Sequence, residues 1–431
     1  MKNKKVLIIT YYWPPAGGPG VQRWLKFVKY LPEFGVEPIV YCPYNPIYPQ
    51  VDESLLDEVP ENITILKQPI REPYKLANFF SKQSKTISKG IIPENEKQGL
   101  LQKAMLYIRG NFFIPDARKG WVKPSFKYLS TYISDFDIDT IITTGPPHSL
   151  HLIGLKLKEK YSDLNWIADF RDPWTTIGYH KQLKLTKASK KKHKILEKAV
   201  LNCANQILVT SNNTKKEFEA ITNNPITVIT NGYDNENIES VPLDKAFTFS
   251  HIGSLLSKRN PENLWKIFKE LINENEAFKK AFKLVLVGSV SDTILKSIAA
   301  YGLTNFLDNV GYVSHKESVK YQKKSQVLLL IEIDSIDTKA IIPGKLFEYM
   351  ASQRPILAIG PKDTDVERIL KSTNSGSYFN YNSDNDLKNE ILKHFEAFKH
   401  NNLKVNAIGL EQYSRKNLTR ELSKVILKPV T

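Results

Sequence analysis

The chain has little sulfur and a shortage of acid. Among its 431 residues are only two cysteines and three methionines. Cys42 and Cys203 stand alone, without metal or redox spacing. That excludes a disulfide framework and a cysteine-based metal motif, and it points to a reduced, cytoplasmic setting. Long apolar runs are missing as well. Met1-Lys2-Asn3-Lys4-Lys5 leads straight into a short strand, so neither a cleavable signal nor a membrane-spanning helix is expected. The acidic residues number 45 against 61 lysines and arginines, leaving a formal net charge of +16. Such an imbalance calls for an anionic partner: nucleotide phosphates, an acidic membrane surface or nucleic acid. No cluster with metal-ligand spacing stands out.

What is present is ordinary for a globular protein, with 41% hydrophobic and 25% charged residues. The length suits two or three domains with separate cores. Residues 6–10 form an apolar stretch followed by a loop containing Gly17-Gly18-Pro19-Gly20. Val21, Trp24, Leu25, Val28 and Leu31 then share one helical stripe, which Pro32 stops. Strand, glycine-rich loop and helix is the layout of a phosphate- or sugar-binding βα unit, although the spacing departs from the dinucleotide fingerprint. Strands are expected near 36–42, 63–66, 139–144, 165–169, 207–210 and 226–230. Residues 71–128 read as a lysine-rich insertion with helices, and 235–245 as a polar linker. A second βα series follows, with strands near 248–252, 284–287, 309–313, 327–333 and 356–359 and a helical tail over 412–427.

Several positions suggest chemistry. His148 follows Gly145-Pro146-Pro147 and reads either as an orienting group for a substrate hydroxyl or as an exposed first-turn histidine. Asp169 and Asp172 flank Arg171, and a structural ion pair accounts for them without chemistry. Lysines crowd residues 181–198 as a basic helix face, suited to an anionic membrane or simply to solvent. Lys258 and Arg259 end the turn His251-Ile252-Gly253-Ser254-Leu255-Leu256-Ser257-Lys258-Arg259; Arg259 reads as a diphosphate clamp or as a solvated basic turn. The segment Ile342-Pro343-Gly344-Lys345-Leu346-Phe347-Glu348-Tyr349-Met350-Ala351-Ser352 lies between two buried strands. Pro343 and Gly344 sit at the helix start, where unpaired backbone amides, with the charge of Lys345, suit a phosphate. Glu348 falls three residues later on the same face, where a ribose diol suits it. A surface helix with one ion pair is the plainer account.

These residues together resemble the family 4 glycosyltransferases of the GT-B architecture, particularly bacterial enzymes of surface-polysaccharide assembly. The resemblance rests on Gly17-Gly18-Pro19-Gly20, Asn231-Gly232-Tyr233-Asp234, the Gly253 turn with Lys258 and Arg259, and Gly344-Lys345-Leu346-Phe347-Glu348-Tyr349-Met350-Ala351. It implies an α/β fold of two Rossmann-like domains facing across a cleft. The first would be an acceptor-side domain over 1–240, the second a nucleotide-sugar domain over 246–410. A last helix over 411–431 would cross back to the first. It assigns ribose to Glu348, diphosphate to Lys258, Arg259 and the amides around Gly344 and Lys345, and a closing loop to Gly18 and Gly20. It departs from the family pattern where Ala340 replaces the first of two glutamates, with Asp334 and Asp337 nearby.

The implied activity is retaining transfer of a hexosyl or N-acetylhexosaminyl group from a nucleoside-diphosphate sugar to a hydroxyl of a glycan or lipid-linked acceptor. It needs no cofactor or metal. His148 or Asp172 would orient the acceptor, and the inner face of the cell membrane is a peripheral docking surface. Two neighbouring readings keep the architecture: a sugar-nucleotide binder without transfer, motivated by Ala340, and a sugar-nucleotide epimerase. A nucleic-acid-binding protein ranks last, because basic and aromatic residues interleave only diffusely and no recognised module is present.

Overall fold

The computed structural model describes residues 3–72, 100–178, 180, 183–234 and 241–428. They divide into two compact units, one of Met1–Asn231 with Arg415–Thr431 and one of Gly232–Ser414.

The first unit holds seven parallel strands: β1 (Lys4–Ile9), β2 (Val36–Pro43), β3 (Thr64–Gln68), β4 (Thr140–Gly145), β5 (Asn165–Phe170), β6 (Gln206–Val209) and β7 (Ile226–Val228). Their order is β3-β2-β1-β4-β5-β6-β7. Apolar strands with both faces covered are what a parallel sheet requires, and β1 shows how one sequence serves two cores. Leu7 and Ile9 enter the face packed by α3 (Val122–Asp135), α4 (Ser149–Lys160) and α5 (Lys187–Cys203). Val6 and Ile8 enter the opposite face with Val21, Trp24, Leu25 and Val28 of α1 (Pro19–Tyr30). Leu418, Leu422 and Ile426 of the final helix α14 (Arg415–Leu427) complete that second core. Helices α2 (Leu100–Phe112) and α6 (Asn212–Glu219) also belong here. Of the expected insertion over 71–128, residues 73–99 lie outside the described residues, as do 235–240 of the expected linker.

The second unit has six parallel strands, β8 (Phe247–Ile252), β9 (Phe282–Val287), β10 (Leu307–Gly311), β11 (Val327–Ile331), β12 (Ile356–Ile359) and β13 (Gly376–Phe379). Their order is β10-β9-β8-β11-β12-β13. Its helices include α7 (Glu262–Glu274), α8 (Glu276–Ala281), α9 (Asp292–Ala300), and α10 (His315–Lys324) and α11 (Lys345–Ala351), the last two at the site. Helices α12 (Asp365–Thr373) and α13 (Asp384–Lys399) follow them. Along β11, Leu329 and Ile331 face one core while Leu328 and Leu330 face the other.

Both sheets grow first to one side of their opening strand and then to the other, so each unit is Rossmann-like. In such sheets the loops leaving β1 and β4, or β8 and β11, diverge and open a crevice at the carboxyl ends of the strands.

Candidate functional site

In the second unit the site is built on the ends of β8 and β11. His251, next to last in β8, is 1% exposed. Its Nδ1 lies 3.1 Å from the Leu329 carbonyl oxygen, which can only accept, so Nδ1 carries the proton. The bare Nε2 then accepts from Lys345 Nζ at 3.2 Å. Burial, reinforced by the Lys345 and Arg259 charges, holds the ring neutral by pushing its pKa well below the usual histidine value. One turn along α11, the Tyr349 hydroxyl accepts from the Ile252 amide at 2.8 Å. The helix start is thereby pinned to the end of β8.

Lys345 is only marginally content there. Burial first, and the neighbouring Arg259 second, lower its pKa to about 7, against a partial offset from Glu348. Lys345 and Arg259, both half-buried and repelling each other, concentrate positive charge at these strand ends, which suits an anion. Gly253 makes the approach possible. Its φ of +114° suits glycine, and a Cβ would stand 2.6 Å from Lys345 Nζ. At Gly344, by contrast, a Cβ would meet nothing within 4 Å, so the helix start looks onto open space. Glu348 is half-buried and accepts from Gln322 Nε2 of α10 at 3.1 Å. Lys258 is exposed beside Arg259. The structure thus brings Gly253, Arg259, Gly344, Lys345 and Glu348 to one mouth and sets Lys258 at its solvent edge. Asp334 is exposed, and Asp337 lies in the short helical turn Ile336–Thr338.

Sequence reasoning passed over two members of this site. One is His251, whose signal was a histidine in an otherwise apolar strand. The other is Glu332, the one charged residue in the otherwise apolar run 327–333, which is 5% exposed. Its Oε2 is 2.7 Å from the Tyr378 hydroxyl, which also lies 2.8 Å from the Pro361 carbonyl oxygen. The phenolic hydroxyl is thus placed to donate either to the Glu332 carboxylate or to that carbonyl, and Thr364 bonds the same carboxyl group. Burial pushes the Glu332 carboxyl up to about 7, with the Tyr378 bond and the Arg259 charge pulling the other way.

In the first unit the loops after β1, β4 and β5 converge. The charges of Asp169 and Asp172 do reach Arg171, but Asp169 forms its ion pair elsewhere. Asp169 is fully buried and pairs instead with Arg23 Nη2 at 3.0 Å, while accepting from Trp24 Nε1 and the Thr144 hydroxyl at 2.8 Å each. Arg171 donates to backbone carbonyls: Gly20 at 2.8 Å, Gly145 at 3.3 Å, and Pro146. Its guanidinium lies across the first turn of α1 at the bare Cα of Gly20, and Gly18 caps that helix with φ 95°. Gly20 therefore has a structural occupant in Arg171, whereas Gly17 and Gly18 face Gln50. Asp172 is half-buried, and burial raises its pKa against the opposing Arg171 charge.

His148 is not the exposed first-turn histidine of the plainer account. It is 3% exposed and stacks on Trp174, with centroids 4.9 Å apart and planes 2° from parallel. Neither ring nitrogen has a hydrogen-bond partner among the described residues. Burial and the charges around it keep the ring neutral. Among the described residues no group of three or more His, Cys, Asp or Glu side chains is arranged to hold a metal ion. No described helix is long and apolar enough to cross a membrane.

No protein-family model and no curated protein sequence matches the chain. Solved structures do match its fold over nearly the full length. Sucrose-phosphate synthase from Thermosynechococcus elongatus aligns with a TM-score of 0.61 at 13% identity, over 98% of each chain. A glycosyltransferase from Rickettsia africae ESF-5 aligns at 0.60 and 13% identity, over 99% of this chain and 100% of the other. A TarM variant from S. aureus, in complex with Fondaparinux, alpha-GlcNAc-glycerol and UDP, aligns at 0.56 and 13% identity, over 99% and 100%. The chain shares the two-domain Rossmann-like fold of these proteins.

Proposed function

We propose that the chain is a glycosyltransferase that moves a sugar from a nucleoside-diphosphate sugar to a hydroxyl of a glycan or lipid-linked acceptor. One observation carries this reading: Lys345, held on neutral His251, shares a crevice with Arg259 at the carboxyl ends of β8 and β11. A departing nucleoside diphosphate is the anion such a pair suits. Its negative charge grows as the glycosidic bond to the donor breaks, and fixed cations stabilise that change without reorganising. Lys345 and Arg259 take the diphosphate, with Lys258 at the edge and the open Gly344 backbone allowing close approach. Glu348, one turn from Lys345, takes the ribose hydroxyls. Gly253 leaves the lysine its room.

In the first unit His148 and Asp172 orient the acceptor hydroxyl beside the loop of Gly18 and Gly20. The neutral ring of His148, with both nitrogens unpartnered, supports an orienting role. UDP and alpha-GlcNAc-glycerol in the TarM complex are the two ligand classes inferred here, a nucleoside diphosphate and a glycosylated alcohol. The family 4 motifs quoted above favour retained configuration and work on cell-surface polysaccharide at the inner membrane face.

Calorimetry with UDP-, GDP-, ADP- and CMP-linked sugars tests the reading. One nucleotide class should bind well above the rest, and Glu348→Ala and Arg259→Ala should each weaken it while leaving the fold intact. Unchanged affinity in both variants removes the site assignment.

A further inference from the structure

The first unit contains a second basic cavity that the transfer reading does not use. It has a volume of about 270 Å³ and lies between the loop after β5 and helix α5. Lys184, Lys190 and Lys194 stand around it, and Thr175, His180 and His193 line it. All three lysines are exposed, whereas His193 is 1% exposed.

The tautomer of His193 follows from its partner. Trp174 Nε1 can only donate, and it lies 3.1 Å from His193 Nδ1. Nδ1 therefore accepts, and burial lowers the pKa so that the ring stays neutral. The ring's one proton is on Nε2, and Nε2 has no hydrogen-bond partner among the described residues. A buried N–H donor left unmatched is destabilising unless something outside the chain accepts from it. The nearby acids are already committed. Glu197 accepts from the Thr175 amide at 3.0 Å and its hydroxyl at 2.7 Å. Asp116, whose charge also reaches His193, accepts from the Ser149 amide at 2.8 Å and its hydroxyl at 2.9 Å. His193 thus lines the cavity with an unmatched donor, the His180 ring lies 4.7 Å from it between centroids, and three ammonium groups stand around both.

We infer that this cavity binds a phosphate or diphosphate group, seated on His193 Nε2–H and surrounded by Lys184, Lys190 and Lys194. The chemistry is shared by a soluble phosphorylated compound and by a phosphate-bearing lipid headgroup. The inference stands apart from the nucleotide crevice of the second unit and does not depend on it.

The test follows the His193 ring by nitrogen-15 NMR in the full chain, with its signals assigned by their loss in His193→Gln. Inorganic pyrophosphate is the probe. Because the readout is local, pyrophosphate taken up by the second unit does not register. Two charge-matched double variants separate a cavity from diffuse attraction. Lys190→Gln with Lys194→Gln removes cavity lysines, whereas Lys191→Gln with Lys198→Gln removes the same charge from the same helix outside the cavity. The cavity pair should weaken pyrophosphate binding by about tenfold or more, and the outer pair should change it little. An unmoved His193 signal, or equal losses in the two pairs, overturns the inference. Co-sedimentation with phosphatidylcholine vesicles carrying phosphatidic acid identifies the source. Retention lost in the cavity pair but kept in the outer pair makes it a lipid headgroup. Pyrophosphate binding without vesicle retention makes it a soluble phosphate.

Discussion

Lysine 345 supplies the sharpest prediction, because its charge is unsettled in the free protein and settled by the proposed ligand. Its pKa lies at about 7 rather than 10.5, with burial and Arg259 as the causes. An ammonium against a diphosphate regains an ordinary pKa, so the bound value exceeds the free one and binding takes up a proton. Affinity is then complete below pH 7 and falls as pH rises, until the bound pKa is reached. The slope is about tenfold per pH unit, so affinity at pH 9 is roughly a hundredfold below its plateau. Proton uptake is about half an equivalent at pH 7 and approaches one by pH 9.

Glu332 titrates at about 7 and is coupled to the Arg259 charge, so the profile is read in the Glu332→Gln background, where the other titrations are quiet. His251 is neutral throughout, Arg259 keeps its charge, and a terminal phosphate ionises near pH 6. Calorimetric titration of the preferred nucleoside diphosphate in two buffers of different ionisation heat measures both quantities. Lys345→Met should bind weakly and without this slope. A flat profile in the Glu332→Gln background between pH 7 and 9, or the same slope with Lys345→Met added, would refute the assignment of Lys345 to the diphosphate.

Four further outcomes are expected. Glu332 has a folded pKa of about 7 against 4.5, so the stability from its neutral form is complete below pH 4.5 and is lost as pH rises through 7. Glu332→Gln keeps it, and urea unfolding should show the variant matching wild type at pH 4 and exceeding it by about 3 kcal/mol at pH 8. Arg23→Ala strands the fully buried Asp169 carboxylate and should destabilise the first unit by about 3–5 kcal/mol, with much of that recovered by adding Asp169→Asn. Gly344→Ala meets no neighbour, so an unchanged melting temperature with reduced nucleotide affinity shows that the ligand occupies that space; unchanged affinity places the ligand elsewhere. Leu422→Ala removes a fully buried side chain that α14 contributes to the first core, and unfolding should register a loss of about 2–5 kcal/mol.

The sheets were legible because buried parallel strands must be apolar on both faces, and runs such as Val327–Ile331 admit little else. What stayed hidden was short or polar. β13 has four residues, all half-buried at the sheet's edge, and offers no such run. Helix α13 buries Leu387, Ile391, His394 and Phe395 at helical spacing, but its remaining residues are dominated by charge and polarity. The α1 stripe stood out because the same spacing there is filled by tryptophan and leucine.

The site divides along a different line. Gly253, Arg259, Lys345 and Glu348 could be picked out as residue types, each with a plainer structural account beside it. Their meeting was not legible, because Lys345 and His251 lie 94 positions apart. They are joined only because the sheet sets β11 directly beside β8 and sends β9 and β10 to the other side. That topological step turns a solvated lysine into one sharing a crevice with Arg259. Arg171 makes the converse case. Two aspartates within three positions read as its partners, yet the fold gives Asp169 to Arg23, which is 146 residues away, and gives Arg171 to three carbonyls. Local charge pairing is a weak guide in an open parallel sheet, since adjacent side chains on a strand face opposite layers and loops answer to whichever strands stand beside them. Asp169 is the penultimate residue of β5 and turns toward α1, whereas Arg171 has already left the strand and is free to cross the loops above it. The chemistry at each strand end is written in the sequence, but the strand order decides which ends work together.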